Sequence, residues 1–448
     1  MLIEFTTGNY RSFKDTATLS MAAARIKARD PHVNANNTIP VDNQLTLLTS
    51  AAIYGANASG KSNFIHALEF MRRFVLTSSK ETQSAEPISY RPYRLNTASE
   101  NAPSLFEIVF RLSNLQYRYG FEIDAQQVVA EWLFSSSGAG KETRMFVRQA
   151  GEIHRGRVFK EGKGLEKLTR ANALFLSVVA QFNGQTATQI LGWFRQLWVI
   201  AGLQDSEHRI FTIQRFKEQY HQQILDLIKR LDLGIDDIQT EPRQMLNSAG
   251  WRFPLQDTDG HLGIKLELEG IPPEMQEQLW QEARALDVRF VTIHQKYDEK
   301  GQPGGKERFD LELDESDGTA KLFYLAGPLV DVLERGGVIV IDEMEARTHP
   351  LINLFLISLF NSLETNPKRA QLIFTTHDTN LLSNQLFRRD QIWFIEKDQW
   401  NASHLYSLAE IKVRNDASFE NDYLKGRYGG VPFPGDIRKI TIEEDKGE

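Results

Sequence analysis

Between residues 55 and 62 the chain reads Gly55-Ala56-Asn57-Ala58-Ser59-Gly60-Lys61-Ser62, a G-x-x-x-x-G-K-S pattern. Residues of these types at this spacing suit the gripping of a polyphosphate. Glycines let the backbone curl until successive N–H groups point inward at an anion, and the helix expected from about Lys61 turns its positive end to the same place. In such a cradle Lys61 reaches the β- and γ-phosphates and the Ser62 hydroxyl binds Mg²⁺, with Gly55, Asn57, Ser59, Gly60 and Asn63 along the nucleotide. An ordinary glycine-rich turn is the alternative, but a short β run precedes the loop and an amphipathic pattern follows it. A second stretch, Gly138-Ala139-Gly140-Lys141-Glu142, has Ser135 where the first glycine should stand, and Glu142 would repel phosphate. It reads as a turn.

Val338-Ile339-Val340-Ile341-Asp342-Glu343 is a continuous β-branched run ending in two carboxylates. Such runs mark central strands of parallel sheets, whose chemistry sits at the strand C-termini. Asp342 is placed there to hold Mg²⁺, leaving Glu343 to polarise an attacking water as general base. A strand before a solvated acidic turn would look the same alone; the phosphate loop argues against it. Leu372-Ile373-Phe374-Thr375-Thr376-His377 is a second apolar strand with His377 at its tip, set to contact the γ-phosphate, although a lone histidine there is most often a cap or a packed residue. Asp314-Glu315-Ser316-Asp317-Gly318-Thr319 stands directly before a helix. Ser-x-Gly at a helix start is an ordinary N-cap and also an anion-binding end. One chain already owns a complete phosphate loop, so two copies could pair head to tail. Ser316, Asp317, Gly318 and Thr319 of each would then close over the nucleotide held by the other.

Positioning these residues takes a particular set of elements. Leu2–Thr6 alternates, Leu45–Leu48 and Ala51–Tyr54 lead into the loop, and apolar residues from Asn63 to Leu76 recur at three and four, predicting a helix. Runs at 105–112, 115–123 and 128–134 predict an antiparallel meander. Helical spacing returns at 186–198, 213–231 and 274–286, and strands are expected at Val288–His294 and Phe309–Leu313, linked through the glycine-rich Asp298–Lys306. The last third alternates helix 319–334, strand 338–341, helix 350–363, strand 371–375, helix 379–387 and strand 391–396, which implies a parallel, helix-covered sheet. At 448 residues, 41% hydrophobic and 25% charged, the chain has the balance of a globular protein of two or three lobes. No apolar run reaches the ~18 residues a membrane span needs, and the first residues lack a signal-peptide pattern. The absence of cysteine excludes disulfides, thiolate zinc sites and cysteine nucleophiles. It suits a reducing cytoplasm, where the protein is expected. A net charge of −7 is opposite in sign to that of a chain dominated by nucleic-acid binding. A local exception is 141–170, with nine Lys or Arg against four acids, although such a run is usually a solvated face.

In this order the loop 55–62, Ser316–Thr319, the acidic strand end 338–343 and His377 resemble the ATP-binding-cassette heads of SMC, RecF and OLD-like ATPases. The resemblance implies an α/β ABC-ATPase head: a mostly parallel helix-flanked sheet, an antiparallel β meander and an inserted helical lobe, binding ATP and Mg²⁺. Asn9-Tyr10-Arg11-Ser12-Phe13 looks like their N-F-R-S-F start, which would bring Arg11 and Ser12 near the adenine. By the same likeness Gln181 would be the glutamine that faces the metal; a packed core run ending on a boundary glutamine fits those residues equally. The similarity narrows through Leu233-Gly234-Ile235-Asp236-Asp237-Ile238, 315–325, 371–382, 388–394 and Tyr423-Leu424-Lys425-Gly426-Arg427-Tyr428-Gly429-Gly430. These stretches look like the prokaryotic AAA family ATPases of RloA or AbiL type, over nearly the whole chain, with the ATPase of PARIS systems a looser relative. That group implies a part in phage defence by abortive infection, beside a small effector of RloB or Toprim type. One departure stands out. The group reads D-E-[LI]-[DE]-x-S-L-H-P after its acidic strand, whereas Asp342–Pro350 has Arg347 and Thr348 at the small and apolar positions. The division expected is 1–79 and 301–400 for the two parts of the head, 80–172 for a β subdomain, 173–300 for a helical lobe and 401–448 for a C-terminal extension.

Two other functions fit parts of this pattern. OLD-type enzymes carry a Toprim nuclease, but the 71 residues after His377 hold Glu396-Lys397-Asp398 and no Asp-x-Asp there, so no intrinsic nuclease is expected. A DNA-maintenance head of RecF or SMC kind is the alternative reading. The 255 residues from Lys61 to Ser316 show no heptads and no Cys-x-x-Cys hook, which excludes long-armed relatives and leaves a short-armed clamp. A transporter ATPase suits the N-terminal motif and the meander least.

Overall fold

The structure, a computed structural model, describes residues 1–80, 83, 86–138, 140–202, 206–242, 288–414 and 417–432. Strands β5 (Ser50–Tyr54), β11 (Leu197–Ile200), β15 (Val338–Ile341), β16 (Gln371–Thr375) and β17 (Ile392–Lys397) run parallel in the order β11-β15-β16-β5-β17, and β18 (Ser403–Ser407) closes one edge antiparallel. Successive residues of a strand point to opposite faces, and here they sort into two cores. Ala51, Ile53, Val338, Val340, Ile373 and Ile395 face α2 (Lys61–Thr77). Ala52, Tyr54, Ile339, Ile341, Phe374 and Phe394 belong to the second core, with residues of α5 (Ser206–Glu218), α6 (His221–Arg230), α7 (Asp317–Arg335) and α8 (Pro350–Phe360).

The other side of α2 meets a seven-stranded antiparallel sheet. The meander is present as β6 (Ser104–Leu112), β7 (Leu115–Ile123) and β8 (Val128–Ser136), continued by β9 (Thr143–Gln149) and β10 (Glu152–Arg155). From the far edge β1 (Leu2–Gly8) pairs with β6, and β2 (Ala17–Ser20) with β1. Phe64, Ile65, Leu68, Met71, Phe74 and Val75 of α2 are buried in the same core as residues of both sheets, each contributing roughly 1.5–3 kcal/mol on burial. Gln371 stitches the sheets together: its amide accepts from Leu2 N (2.6 Å) and donates to the carbonyls of Leu2 and Leu48 (3.0 and 3.1 Å).

α3 (Phe175–Gln181) and α4 (Gln185–Gln196) flank α2. The buried Glu131 of β8 caps α3, accepting from Phe175 N and Leu176 N at 2.7 and 3.0 Å. Against α5–α7 lies a small sheet of β12 (Asp237–Pro242), β13 (Val288–Tyr297) and β14 (Pro303–Asp310). α1 (Pro31–Asn36), the pair β3 (Thr38–Pro40) and β4 (Thr46–Leu48), and α9 (Phe419–Leu424) complete the described elements longer than a single 3₁₀ turn. No helix of the described residues is long and apolar enough to cross a membrane.

Some sequence expectations are corrected. The helix over 379–387 is a single 3₁₀ turn, Thr379–Leu381: Asp378 caps its start by accepting from Asn380 N (3.0 Å), but Ser383 N turns back to the Leu381 carbonyl (2.8 Å) and the ladder stops there. The strand at Phe309–Leu313 lies earlier. Asp310 Oδ1 accepts from Glu312 N and Leu313 N and turns the chain, so part of the glycine-rich link forms β14 instead. The expected helix at 350–363 ends at Phe360, capped by Asn361, whose side-chain oxygen is taken by Thr49 and Ser50. The expected helix at 274–286 lies outside the described residues.

Candidate nucleotide site

β5 delivers the loop and α2 begins at Lys61, as the spacing requires. Ala58 takes φ 61° and Gly60 φ 117°, and a Cβ at Gly60 would fall on the Ser403 and Ser12 hydroxyls. Lys61 is only 5% exposed, and its ammonium donates to the carbonyls of Gly55 (2.9 Å) and Ala56 (3.2 Å). Burial holds it below its ordinary pKa, and Asp342, Glu345 and Glu343 push it back up. Ser59 Oγ is buried without a hydrogen-bond partner among the described residues. A buried cation that, among the described residues, is satisfied by loop carbonyls alone, beside an orphaned hydroxyl, fits a loop built for phosphate oxygens.

Two segments far apart in the chain clasp this loop. The turn at Tyr10–Phe13, with Arg11 at φ 50°, brings Ser12 Oγ to Asn63 Nδ2 (2.9 Å) and Arg11 Nη1 to Asn63 Oδ1 (3.3 Å). From β18, Ser403 Oγ donates to the Ser59 carbonyl (2.6 Å) and Ser403 N to the Ser12 carbonyl (2.7 Å). Beside Arg11 opens a cavity of about 290 Å³, bordered by Tyr10, His66, Glu69, Tyr90 and Arg91.

The acidic residues follow β15. Asp342 N is held by the Ile200 carbonyl of β11 (2.9 Å). Thr375, at the end of β16, holds the Asp342 carboxylate and the Glu343 backbone together: its hydroxyl donates to Asp342 Oδ1 (2.5 Å) and accepts from Glu343 N (2.7 Å). Glu343 is exposed and sits at φ 48°, a conformation unfavourable for a residue with a side chain. One strand over, His377 N donates to Glu345 Oε1 (2.6 Å). Burial and then Lys61 hold the His377 imidazole below its ordinary pKa, against Glu345, Glu343 and Asp342. Lys61, Asp342, Glu343 and His377, taken from β5, β15 and β16, therefore share one electrostatic neighbourhood. Ser62, half-buried, is the next residue of α2.

Ser316 is exposed at the start of α7 and caps it, accepting from Thr319 N (3.1 Å), while Thr319 is buried. Asp317 pairs with Arg347 (2.6 Å), and a Cβ on Gly318 would fall on the Arg347 carbonyl oxygen. Gln181 ends α3 exposed, and no described hydrogen bond or ion pair ties it to Lys61, Ser62 or Asp342. The strand that ends beside Asp342 is β11, and Gln204, four residues beyond it, lies outside the described residues. Thr375, Glu345 and Lys321, whose amine donates into the turn after β15, were not singled out from the sequence. In the stretch 141–170, Arg148 and Arg170 bond backbone carbonyls and Arg155 pairs with Glu166, so three of the nine cations are engaged within the chain, Arg148 of them buried.

A phosphate loop, an acidic strand end and a histidine on neighbouring parallel strands, with an antiparallel sheet across α2, give the chain the fold of an ATP-binding-cassette ATPase head. The chain belongs to the family described as "AAA domain, putative AbiEii toxin, Type IV TA system", whose model matches residues 50–383. No curated protein matches it. Among solved structures the chain is similar to an SMC head bound to the C-winged helix domain of ScpA, at 12% identity over 91% of this chain and 97% of that one, TM-score 0.44. It is also similar to the SMC head domain from Thermotoga maritima, at 14% identity over 92% and 99%, TM-score 0.37. A third is an Smc head domain with an extended coiled coil, bound to the C-terminal domain of ScpA derived from Pyrococcus furiosus, at 12% identity over 91% and 96%, TM-score 0.34.

Proposed function

We propose that this chain is an ATP-hydrolysing switch that closes head to tail as a pair around two nucleotides and controls a partner effector in abortive-infection defence. The observation that carries the pairing is Ser316: a serine-capped helix start left exposed, in a chain whose phosphate loop already occupies its own helix end. In this reading Lys61 and the loop amides hold the β- and γ-phosphates. Ser62 and Asp342 hold Mg²⁺, which would neutralise charge developing on the phosphates. Gln181 is the candidate for the remaining metal-facing position. Glu343 takes the proton of the attacking water, and His377, kept neutral at pH 7, hydrogen-bonds the γ-phosphate. Ser316 and Gly318 of the partner copy close the site, and the purine lies in the cavity beside Arg11. An effector of RloB or Toprim type, a cytoplasmic setting and kinship with RloA and AbiL ATPases belong to the same proposal; the family's description as a putative toxin of a type IV system supports it. The RecF-like alternative loses support from the internal use of Arg148, Arg155 and Arg170.

The test is light scattering and phosphate release for Glu343→Gln and Lys61→Ala, each with Mg-ATP. Glu343→Gln should turn over at least ~10²-fold more slowly and double in mass with ATP, whereas Lys61→Ala should do neither in response to nucleotide. Wild-type hydrolysis by Glu343→Gln, or an ATP-loaded Glu343→Gln that stays single, overturns the reading.

A further inference from the structure

The helix that starts at Ser316 and the turn that carries Glu343 are joined within one chain. Lys321 lies on α7, five residues after Ser316, and its ammonium donates to three carbonyls of a single turn: Glu343 (3.3 Å), Met344 (3.1 Å) and Ala346 (2.7 Å). A lysine has three N–H donors, so the whole donor set goes to that turn. Two further contacts run beside it, the Asp317–Arg347 ion pair and the seat of Gly318 on the Arg347 carbonyl. Glu343 needs such support. Its left-handed backbone persists only where the surroundings over-determine it, and Thr375 holds the turn from one side through Glu343 N. Lys321 holds it from the other.

We propose that Lys321 is a positioning residue that ties the seating of Ser316 on one nucleotide to the placement of Glu343 at the other. This rests on the head-to-tail reading above. There, the Ser316 end of a copy closes its partner's nucleotide, while Glu343 of the same copy serves its own. Any shift of the α7 start on closure moves Lys321, and with it the turn that aims the general base. Closure at one site thereby sets hydrolysis at the other.

The experiment uses the full chain with Lys321→Met and Lys321→Arg, alone and combined with Glu343→Gln. Lys321→Met should lower kcat ~10–100-fold, the usual effect of removing a group that orients a catalytic residue, with KM within about threefold of wild type. Lys321→Arg, a fixed fork of donors that stays charged, should regain most of kcat. The Glu343→Gln, Lys321→Met double variant should still pair with ATP, since the lysine acts on the base and not on the closure. An unchanged kcat in Lys321→Met overturns the proposal, as does a loss that appears equally in KM and that arginine does not rescue. If Lys321→Met fails to fold, Lys321→Gln takes its place under the same criteria. Failure of Glu343→Gln alone to pair with ATP would instead remove the head-to-tail reading, whatever Lys321 does.

Discussion

Gly318→Ala sets two effects of opposite sign against each other. Gly318 is the second residue of α7, and in an unobstructed helix alanine is better than glycine by up to ~1 kcal/mol. The new Cβ, however, would lie on the Arg347 carbonyl oxygen, well inside the 3.0 Å that real Cβ atoms keep from their neighbours. Neither side yields easily. Arg347 stands at φ 63° with its side chain on Asp317, and the preceding carbonyl, that of Ala346, is held by Lys321. Overpacking of this kind costs ~1–3 kcal/mol; the middle of that range, set against the helix gain, leaves a net loss of about 1–2 kcal/mol. Gly192, inside α4 with nothing within 4 Å of its would-be Cβ, supplies the control; Gly192→Ala should gain up to ~1 kcal/mol. At ~2 cal/mol/K per residue for a chain of 448, each kcal/mol moves the melting point by roughly 1 °C if the head unfolds as one unit. Scanning fluorimetry should therefore separate the two variants by about 2–3 °C, with wild type between them. Turnover in Gly318→Ala should drop on the order of tenfold or more, because the turn bearing Glu343 must move by several tenths of an ångström. A Gly318→Ala protein that melts at or above wild type with full activity refutes the contact.

Two other perturbations separate chemistry from stability. Thr375→Val keeps the shape of the side chain but removes the hydroxyl that joins Asp342 Oδ1 to Glu343 N; kcat should fall ~10–100-fold with little change in nucleotide affinity, and equal kcat values would show that the bridge is idle. His208 is buried, its Nδ1 has no partner among the described residues, and burial first, with Arg209 and Lys321 against Glu207, lowers its pKa from 6.5 to about 4. Between those values the unfolded chain takes up a proton that the folded one refuses, so stability falls as pH drops through that window, by on the order of 3 kcal/mol in all. Denaturation midpoints at pH 7.5 and 5 should show this loss shrinking in His208→Gln; an identical pH dependence in both proteins would assign it elsewhere.

What could be read from the sequence was what is local. The loop, the β-branched run before Asp342 and the strand before His377 each announce themselves within ten residues, and a parallel sheet with crossovers brings such strand ends to one edge. The unread parts depend on contacts far apart in the chain. Ser403 meets Ser59 across 344 positions and Lys321 meets the turn after β15 across more than twenty, and no periodicity marks either. β9 escaped for a different reason: Arg148 points inward to the carbonyls of Ala171 and Ala173, so a charged residue occupies a core position and breaks the alternation that marks a strand. β11 escaped because it starts where α4 stops, and the apolar spacing of the helix ran straight into it.

The departure at Arg347 is resolved by its partner. Where the resembling ATPases carry a small residue after the acidic strand, this chain places an arginine whose guanidinium lies on Asp317, within the Ser316–Thr319 stretch. Both side chains are more than half exposed, so the pair contributes at most ~1 kcal/mol to stability. Its consequence is geometric. The arginine clamps the turn so that its own carbonyl lies under Gly318, while Lys321 takes the carbonyls on either side of Glu345. Asp317 and Arg347 therefore act as a matched pair: a small residue at 347 would leave Asp317 without its cation, and any side chain larger than hydrogen at 318 would displace the turn they share. The α7 start and the turn bearing Glu343 are built to move together, and the link between them lies within a single copy of the chain.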